Sequence, residues 1–340
     1  RRTDMRFWDK TVLVVIMQWD YCIRERGISG DELCFFESLK KLVRKAVPFY
    51  YDDYLPDLAR LQSAVIEKAD EIRPDLVAFF PYTDQFSFNT LDVLKKKYVT
   101  YAWFGDDHWR FKNYTSRYAP HYTHVSTTDP WSVSNYRRLG IEPILTEWAA
   151  RPYSDNIGPL RDNETHEHEV SFVGGDNEFR RWMIRRLGAN GIEVECFGAG
   201  WPNGRVSFEE MEQIFRRSRV NLNISNTVNN DIRFVLDSYR NLKSWRKGAK
   251  RVEQVKARNF EIPLAGGFQL SGYALGLERH FVIGEDIAIF TTPDECAQQI
   301  RYYLENENLR KDITAKSHRK AKDGHTFLHR FEDILGNIWE

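Results

Sequence analysis

The residues best suited to chemistry lie between Arg251 and Phe281, in the run RVEQVKARNFEIPLAGGFQLSGYALGLERHF. Glu253 and Glu261 stand eight apart, with Lys256 and Arg258 between them. A carboxylate accepts paired hydrogen bonds from vicinal sugar hydroxyls, while lysine and arginine neutralise a departing diphosphate. Chance alone supplies a few such glutamate pairs in this chain, so the argument rests on the residue types together. Gly266-Gly267 then bends the chain into the following strand. Upstream, the strand-like Ser171–Val173 runs into Gly174-Gly175-Asp176-Asn177 and a helix carrying Arg180. A glycine turn opening a helix lets backbone N–H groups approach a phosphate, although glycine pairs also make ordinary tight turns. A second glycine loop, Phe197-Gly198-Ala199-Gly200-Trp201-Pro202, leaves two readings of Trp201 open: stacking on a base or sugar, or capping the sheet edge as a core aromatic.

Between Asp231 and Arg258 there are nine basic residues against three acidic ones, interleaved with Phe234, Tyr239 and Trp245. Such a local excess is either an anion-facing surface or a solvated helix face. In the first half, the loop WFGDDHWR offers Asp106, Asp107 and His108 as general bases toward a hydroxyl. The same aspartate pair could ligate Mg²⁺ or simply cap a helix. His166 and His168 alternate in a polar stretch and are read as linker residues rather than a metal site, so no metal ligand is assigned.

These loops need strands and helices to hold them, and the sequence alternates the two. Thr11–Met17 (TVLVVIM) is a continuous apolar, β-branched run suited to a strand buried on both faces. Helical spacing over Asp31–Val47 and Leu58–Ile72 separates it from Leu76–Phe80. Helical Leu91–Lys97, the strand Tyr98–Phe104, the strand His124–Thr127, helical Trp131–Leu139 and the strand Pro143–Glu147 follow. A polar segment with two prolines then interrupts the rhythm, which restarts at Glu169. Strands are expected at Glu169–Val173, Val194–Phe197, Val220–Ile224, Phe268–Leu270 and Ala288–Phe290. Helices are expected at Glu178–Leu187, Phe208–Arg216, Gln254–Leu264, Pro293–Leu304, Leu309–Lys322 and Phe327–Trp339. The fold class is therefore α/β, with two Rossmann-like domains facing each other across a cleft. The expected division is a first domain over 1–150, a linker over 151–168, a second domain over 169–324, and a last helix over 325–340.

Forty-nine basic residues balance forty-nine acidic ones across 340 residues. That balance argues against a general nucleic-acid coat or a polybasic membrane protein. No apolar run approaches the ~20 residues of a spanning helix. Four isolated cysteines, none in a CxxC, fit a reduced cytoplasmic compartment. The opening RRTDMRFWDK leads into a strand with no small-residue cleavage site and is not read as a signal peptide.

Several segments together resemble the CgeB-like (spore maturation protein-like) glycosyltransferases of the GT-B superfamily. They are QVKARNFEIPLAGGF, Gly276-Leu277-Glu278, Gly284-Glu285-Asp286, Ile300–Leu304 and His325-Thr326-Phe327 through Arg330. SFVGG, FGAGW, FEEMEQIF and VNLNIS follow in that family's order, and WFGDDHWRF with VSTTDP and NYRRLG resembles its first half. The resemblance implies transfer of a sugar from a nucleoside-diphosphate donor to a hydroxyl of a glycan, lipid-linked saccharide or protein. It also implies that 1–150 is the acceptor-side domain, that 169–324 is the nucleotide-sugar-binding domain, and that the helix over 325–340 packs back on the first domain. Glu261 would hold the donor ribose, Glu253 would lie near the donor sugar, and Lys256 and Arg258 would lie near the diphosphate. No bound cofactor is implied, and UDP, GDP and dTDP are not distinguished. Neither is an inverting from a retaining outcome. Gln18-Trp19-Asp20 stands where many GT-B enzymes carry a glycine-rich loop. The alternative is a non-catalytic module that binds a nucleotide sugar or glycan in a surface-coat assembly. A dinucleotide oxidoreductase is disfavoured, because no strand leads into GxGxxG. The implied location is cytoplasmic, with a peripheral position at the inner membrane face left open.

Overall fold

The computed structural model describes residues 7–152, 158–161 and 163–340. The start of the basic opening segment, and residues 153–157 and 162 of the expected linker, lie outside the described residues. The chain divides into two compact units, Arg1–Pro152 with Thr326–Glu340, and Tyr153–His325.

Unit 1 is built on β1 (Phe7–Ile16), whose residues Val12–Ile16 are all fully buried. A π-helical turn, Glu32–Phe36, leads into α1 (Glu37–Leu42), and the chain then forms β2 (Val43–Tyr50). This corrects the helix expected through Val47. Leu39, Leu42, Val43 and Val47 fit a helical stripe, but Pro48 cannot continue a helix and is tolerated on an edge strand, where β2 lies. Next come α2 (Leu58–Ile72), β3 (Leu76–Phe79), α3 (Phe88–Lys97) and β4 (Thr100–Phe104). Short helices α4 (Asp107–Arg110) and α5 (Ser116–Tyr118), β5 (His124–Thr127), α6 (Val133–Arg138) and β6 (Ile144–Leu145) follow. The strands form one parallel sheet in the order β2-β1-β3-β4-β5-β6. Asp57 and Ser87 accept from backbone N–H groups at the starts of α2 and α3, and three lysines close α3, as the helix dipole favours. One face of the sheet is covered by the chain's last helix, Phe327–Trp339, which buries Phe327, Phe331, Ile334 and Leu335 against Phe35, Phe80 and Trp103.

Unit 2 begins with β7 (His168–Val173), α7 (Glu178–Ala189), β8 (Glu195–Phe197), α8 (Phe208–Arg217) and β9 (Ser218–Asn223). An excursion carrying α9 (Ile232–Asp237) and α10 (Tyr239–Lys247) precedes α11 (Arg258–Leu264) and β10 (Gln269–Gly272). It closes with β11 (Ala288–Phe290), α12 (Pro293–Glu305) and α13 (Glu307–Gly324), leaving Phe327–Trp339 as α14. The sheet is again parallel, ordered β11-β10-β9-β7-β8. The helix expected from Gln254 starts only at Arg258, because the Asn259 side chain accepts from the Lys256 N–H at 3.1 Å and fixes a turn there.

Both sheets therefore reverse their direction of growth once, between β1 and β3 in unit 1 and between β7 and β9 in unit 2. Crevices at the carboxyl ends of such strand pairs are where open α/β sheets take ligands.

Candidate functional site

In unit 2 the reversal point is spanned by Arg180. Its guanidinium donates to Gly175 O after β7 at 2.7 Å, to Ile224 O after β9 at 2.8 and 3.0 Å, and to Ser225 O at 3.2 Å. The planar fork also lies over the Phe172 ring, 5.1 Å from its centroid. Burial and the neighbouring Arg258 charge draw its pKa down to about 10 against the opposing Glu253 carboxylate, so it stays a cation at neutral pH. Backbone carbonyls hold this cation without consuming its charge.

Glu253 accepts from the Thr227 hydroxyl, and burial raises its carboxyl above the usual range. Arg258 and Glu261 pair across one helical turn at 2.5 Å, with Arg258 also over the Phe215 ring. Lys256 lies just ahead of them, its backbone N–H held by Asn259. Arg258 and Glu253 thus both lie close enough to act electrostatically on Arg180, and Arg180 acts on Glu253 in turn.

The two glycine loops lie against each other. A Cβ on Gly198 would sit 2.4 Å from Gly174 O, and Gly198 has a left-handed φ of 128°. Gly200, at φ 87°, backs onto the Asp176 carboxylate. The Trp201 indole N–H donates to Gly174 O at 2.9 Å, so the ring braces the loops. Gly175 differs from these. Its φ is ordinary, and an added Cβ would meet only Ala199 O, at 3.9 Å. Neither backbone nor packing requires glycine there, so a Cβ would be accommodated in this turn ahead of α7. Gly266 and Gly267 belong elsewhere. They precede β10, at the amino end of the strands, where Cβ atoms would strike Gly158–Pro159 and Phe215 O at 2.2 and 2.4 Å.

A buried polar network that sequence reasoning missed holds α11 on the sheet. Asn259 Nδ2 reaches Ser271 Oγ at 3.1 Å, Gln269 Nε2 donates to Asn259 O at 3.1 Å, and Asn223 Nδ2 donates to Ser271 Oγ at 3.2 Å. The alternating asparagines of the VNLN strand were its only signal.

The reversal point of unit 1 carries different chemistry. Backbone N–H groups of Gln18 and Trp19 donate to the Asp52 carboxylate at 2.8 to 3.1 Å, so an aspartate fills the place after β1. Tyr21 projects outward with a left-handed φ of 52° and meets the Tyr82 ring edge-on at 6.1 Å. Asp20 and Asp106 lie near enough to reinforce the burial that raises the Tyr21 phenol. Half-buried Asp31, beside Asp20, has its carboxyl raised by burial and by that charge to about 7. None of Asp31, Tyr21 and Tyr82 was marked in the sequence. Tyr21 meets Tyr82, and Asp31 approaches Asp20, only through the return of the chain after β1 and β3.

Of the three residues expected as bases, Asp107 faces inward. It is 3% exposed and accepts from Thr127 Oγ1 at 2.6 Å and Tyr136 OH at 2.7 Å. Burial raises its carboxyl to about 6. The His108 side chain is also covered and lies 3.7 Å from Asp129. Asp106 is the more accessible of the two aspartates. Among the described residues no group of three or more His, Cys, Asp or Glu side chains could hold a metal, and no helix is long and apolar enough to cross a membrane.

Comparison with known proteins adds to this geometry. Residues 180–336 match a family model described as glycosyl transferase-like. No curated protein matches the chain. Among solved structures, Anabaena Alr3699/HepE in complex with UDP and glucose is similar at TM-score 0.62 and 13% identity, covering 97% of this chain and 99% of that one. Sucrose-phosphate synthase from Thermosynechococcus elongatus is similar at TM-score 0.62 and 10% identity, with the same coverages. A glycosyltransferase from Rickettsia africae gives TM-score 0.60 at 9% identity over 98% of this chain and 99% of its own. The fold is that of the GT-B glycosyltransferases.

Proposed function

We propose that this chain is a CgeB-like glycosyltransferase that moves a sugar from a nucleoside diphosphate, bound on unit 2, to a hydroxyl of a glycan, lipid-linked saccharide or protein. The observation that carries this reading is Arg180, a carbonyl-held cation spanning the reversal point of unit 2 beside Gly175, where neither backbone nor packing requires a glycine. It lies within the segment matched by the glycosyl transferase-like family. In this reading Arg180, Lys256 and the backbone N–H groups opening α7 take the diphosphate. Positioned cations and dipoles act most strongly on charge that develops as the bond to the sugar breaks. Glu261, with one oxygen committed to Arg258, offers the other to the donor ribose, and Glu253 faces the donor sugar. Gly174, Gly198, Gly200 and Trp201 shape the loops without touching the donor. On unit 1, the Tyr21–Tyr82 pair gives sugar rings a surface to stack on. Asp106 and Asp31 are carboxylates on unit 1 for taking the acceptor proton in an inverting transfer, and the Asp31 carboxyl, raised to about 7, is suited to that task.

UDP is the first nucleotide to try, because a similar fold was solved with it. The test is a thermal-shift panel of UDP, GDP, dTDP, CMP and ADP, followed by sugar-donor turnover. A ligand bound to the native state raises its melting temperature by mass action. Stabilisation by one nucleoside diphosphate, lost in Glu261→Ala, is expected. Lys256→Ala is expected to cut turnover more than tenfold, in the range typical of lost electrostatic stabilisation, while Lys247→Ala leaves it unchanged. Equal effects of the two lysines would refute the diphosphate placement. Nucleotide binding without hydrolysis or transfer of any donor would favour the non-catalytic module.

A further inference from the structure

The excursion between β9 and α11 carries a surface that neither the core nor the donor reading uses. It leaves and returns at one point, where Val228 N donates to Lys250 O at 2.8 Å and Gly248 packs against Val228. Its inner side is anchored. Phe234 meets Phe179 and Trp182 with centroids 5.5 and 5.6 Å away, Asn241 donates to Phe234 O at 3.0 Å, and Trp245 Nε1 donates to Asn230 Oδ1 at 3.0 Å.

The outer side is apolar and uncovered. Ile232 is 68% exposed, Leu236 73% and Tyr239 79%, and Leu242 is also exposed. Ile232 and Leu236 are four apart on α9. Tyr239, Leu242, Lys243 and Arg246 fall on one face of α10 at helical spacing. From Tyr239 to Arg251 there are six basic residues and no acidic one. Around α9 the charges cancel locally, with Arg233 bound to Asp231 and Asp294 and Arg185 bound to Asp237. On α10, Arg240, Lys243, Arg246 and Lys247 have no carboxylate partner among the described residues.

We infer that the outer face of α9 and α10 docks on an anionic lipid bilayer, with Ile232, Leu236, Tyr239 and Leu242 entering the interface and the α10 cations resting on the headgroups. Soluble chains rarely leave large apolar side chains so exposed in one patch. Apolar residues backed by lysine and arginine are the composition of helices lying in a membrane interface. A second copy fits poorly, because a two-fold contact would bring these unpaired cations face to face. A nucleic acid would engage the cations but leave the aliphatic side chains in water. The inference is independent of the donor reading, since it is tested without nucleotide.

The experiment is co-sedimentation of the full chain with vesicles of phosphatidylcholine alone and of phosphatidylcholine mixed with phosphatidylglycerol. Binding is expected only to the mixed vesicles and should weaken as salt rises. Lys243→Glu with Arg246→Glu should reduce partitioning about tenfold or more, since each cation near such a surface adds to the attraction. Leu236→Ser with Tyr239→Ser should also reduce it, with unchanged melting temperatures in both double variants showing that the fold is intact. No binding, equal binding to both vesicles, or unimpaired binding by the serine variant would each overturn the inference. Sedimentation velocity showing a dimer that dissolves in the serine variant would assign the patch to a second copy instead.

Discussion

At the scale of single residues, the glycines separate two kinds of constraint. Gly198 is required by its neighbours, because a Cβ would meet the Gly174 carbonyl at 2.4 Å and its φ lies in the left-handed region. Gly198→Ala is therefore expected to cost about 2 kcal/mol or more in chemical denaturation. Gly175 is required by nothing in the unliganded chain. Gly175→Ala should leave stability within about 1 kcal/mol while weakening nucleoside-diphosphate binding about tenfold, measured by calorimetric titration. Unchanged binding would remove the phosphate from this turn.

Asp107 supplies a second test at the same scale. Its folded-state pKa is raised from 3.8 to about 6, so the protonated form favours the fold. That stability is fully present below about pH 4, falls as pH rises through about 6, and is flat above. The shift corresponds to about 3 kcal/mol. The neutral amide introduced by Asp107→Asn can still accept from Thr127 and Tyr136, so the variant should be the more stable protein at pH 8 and should lose this part of the pH dependence. A variant that is less stable at pH 8 would mean that the charged form is favoured in the fold. The sequence displayed Asp106, Asp107 and His108 as equals, and only the fold turns Asp107 inward to Thr127 and Tyr136.

At the scale of elements, α11 matters more for where it begins than for its length. Its first turn carries Arg258 and Glu261, and Asn259 ties it to Gln269 and Ser271 on β10. Asn259→Ala leaves buried partners without hydrogen bonds, an expected loss of about 2 kcal/mol in denaturant unfolding. It should also weaken nucleotide binding, since Lys256 loses the side chain that holds its N–H. Destabilisation with unaltered binding would show that the network is structural only. Elements whose pattern had one period were legible. Leu58–Ile72, Ala288–Phe290 and Phe327–Trp339 form where the spacing puts them. β2 was not, because Val43 and Val47 satisfy a helical stripe and a strand equally, and sheet pairing with β1 decides between them. The start of α11 was obscured for a similar reason. Gln254 and Val255 are buried as a helix would bury them, but they lie in an irregular segment ahead of α11.

At the scale of the whole molecule, the chain passes from unit 1 to unit 2 near residue 152 and returns near 325 to finish unit 1. The returning helix is a structural part of that unit. Phe327, Phe331, Ile334 and Leu335 are each 1% exposed in its core. Burying a large apolar side chain contributes about 1.5–3 kcal/mol, so four of them are comparable to the whole stability of a domain, roughly 5–15 kcal/mol. Residues 7–152 alone are therefore expected not to melt cooperatively. The geometry also offers a repair. The Phe7 and Trp339 rings are 5.3 Å apart, and Thr326 bridges to Ala150 in the parallel sense. A permuted chain with residues 326–340 joined through a short glycine-rich linker to 7–152 places every core side chain of unit 1 on one segment. It should show a single cooperative thermal transition with native near-ultraviolet dichroism from Trp103 and Trp148, which pack at 6.0 Å. A permutant that stays molten while the intact chain folds would show that unit 1 draws its stability from more than its own core.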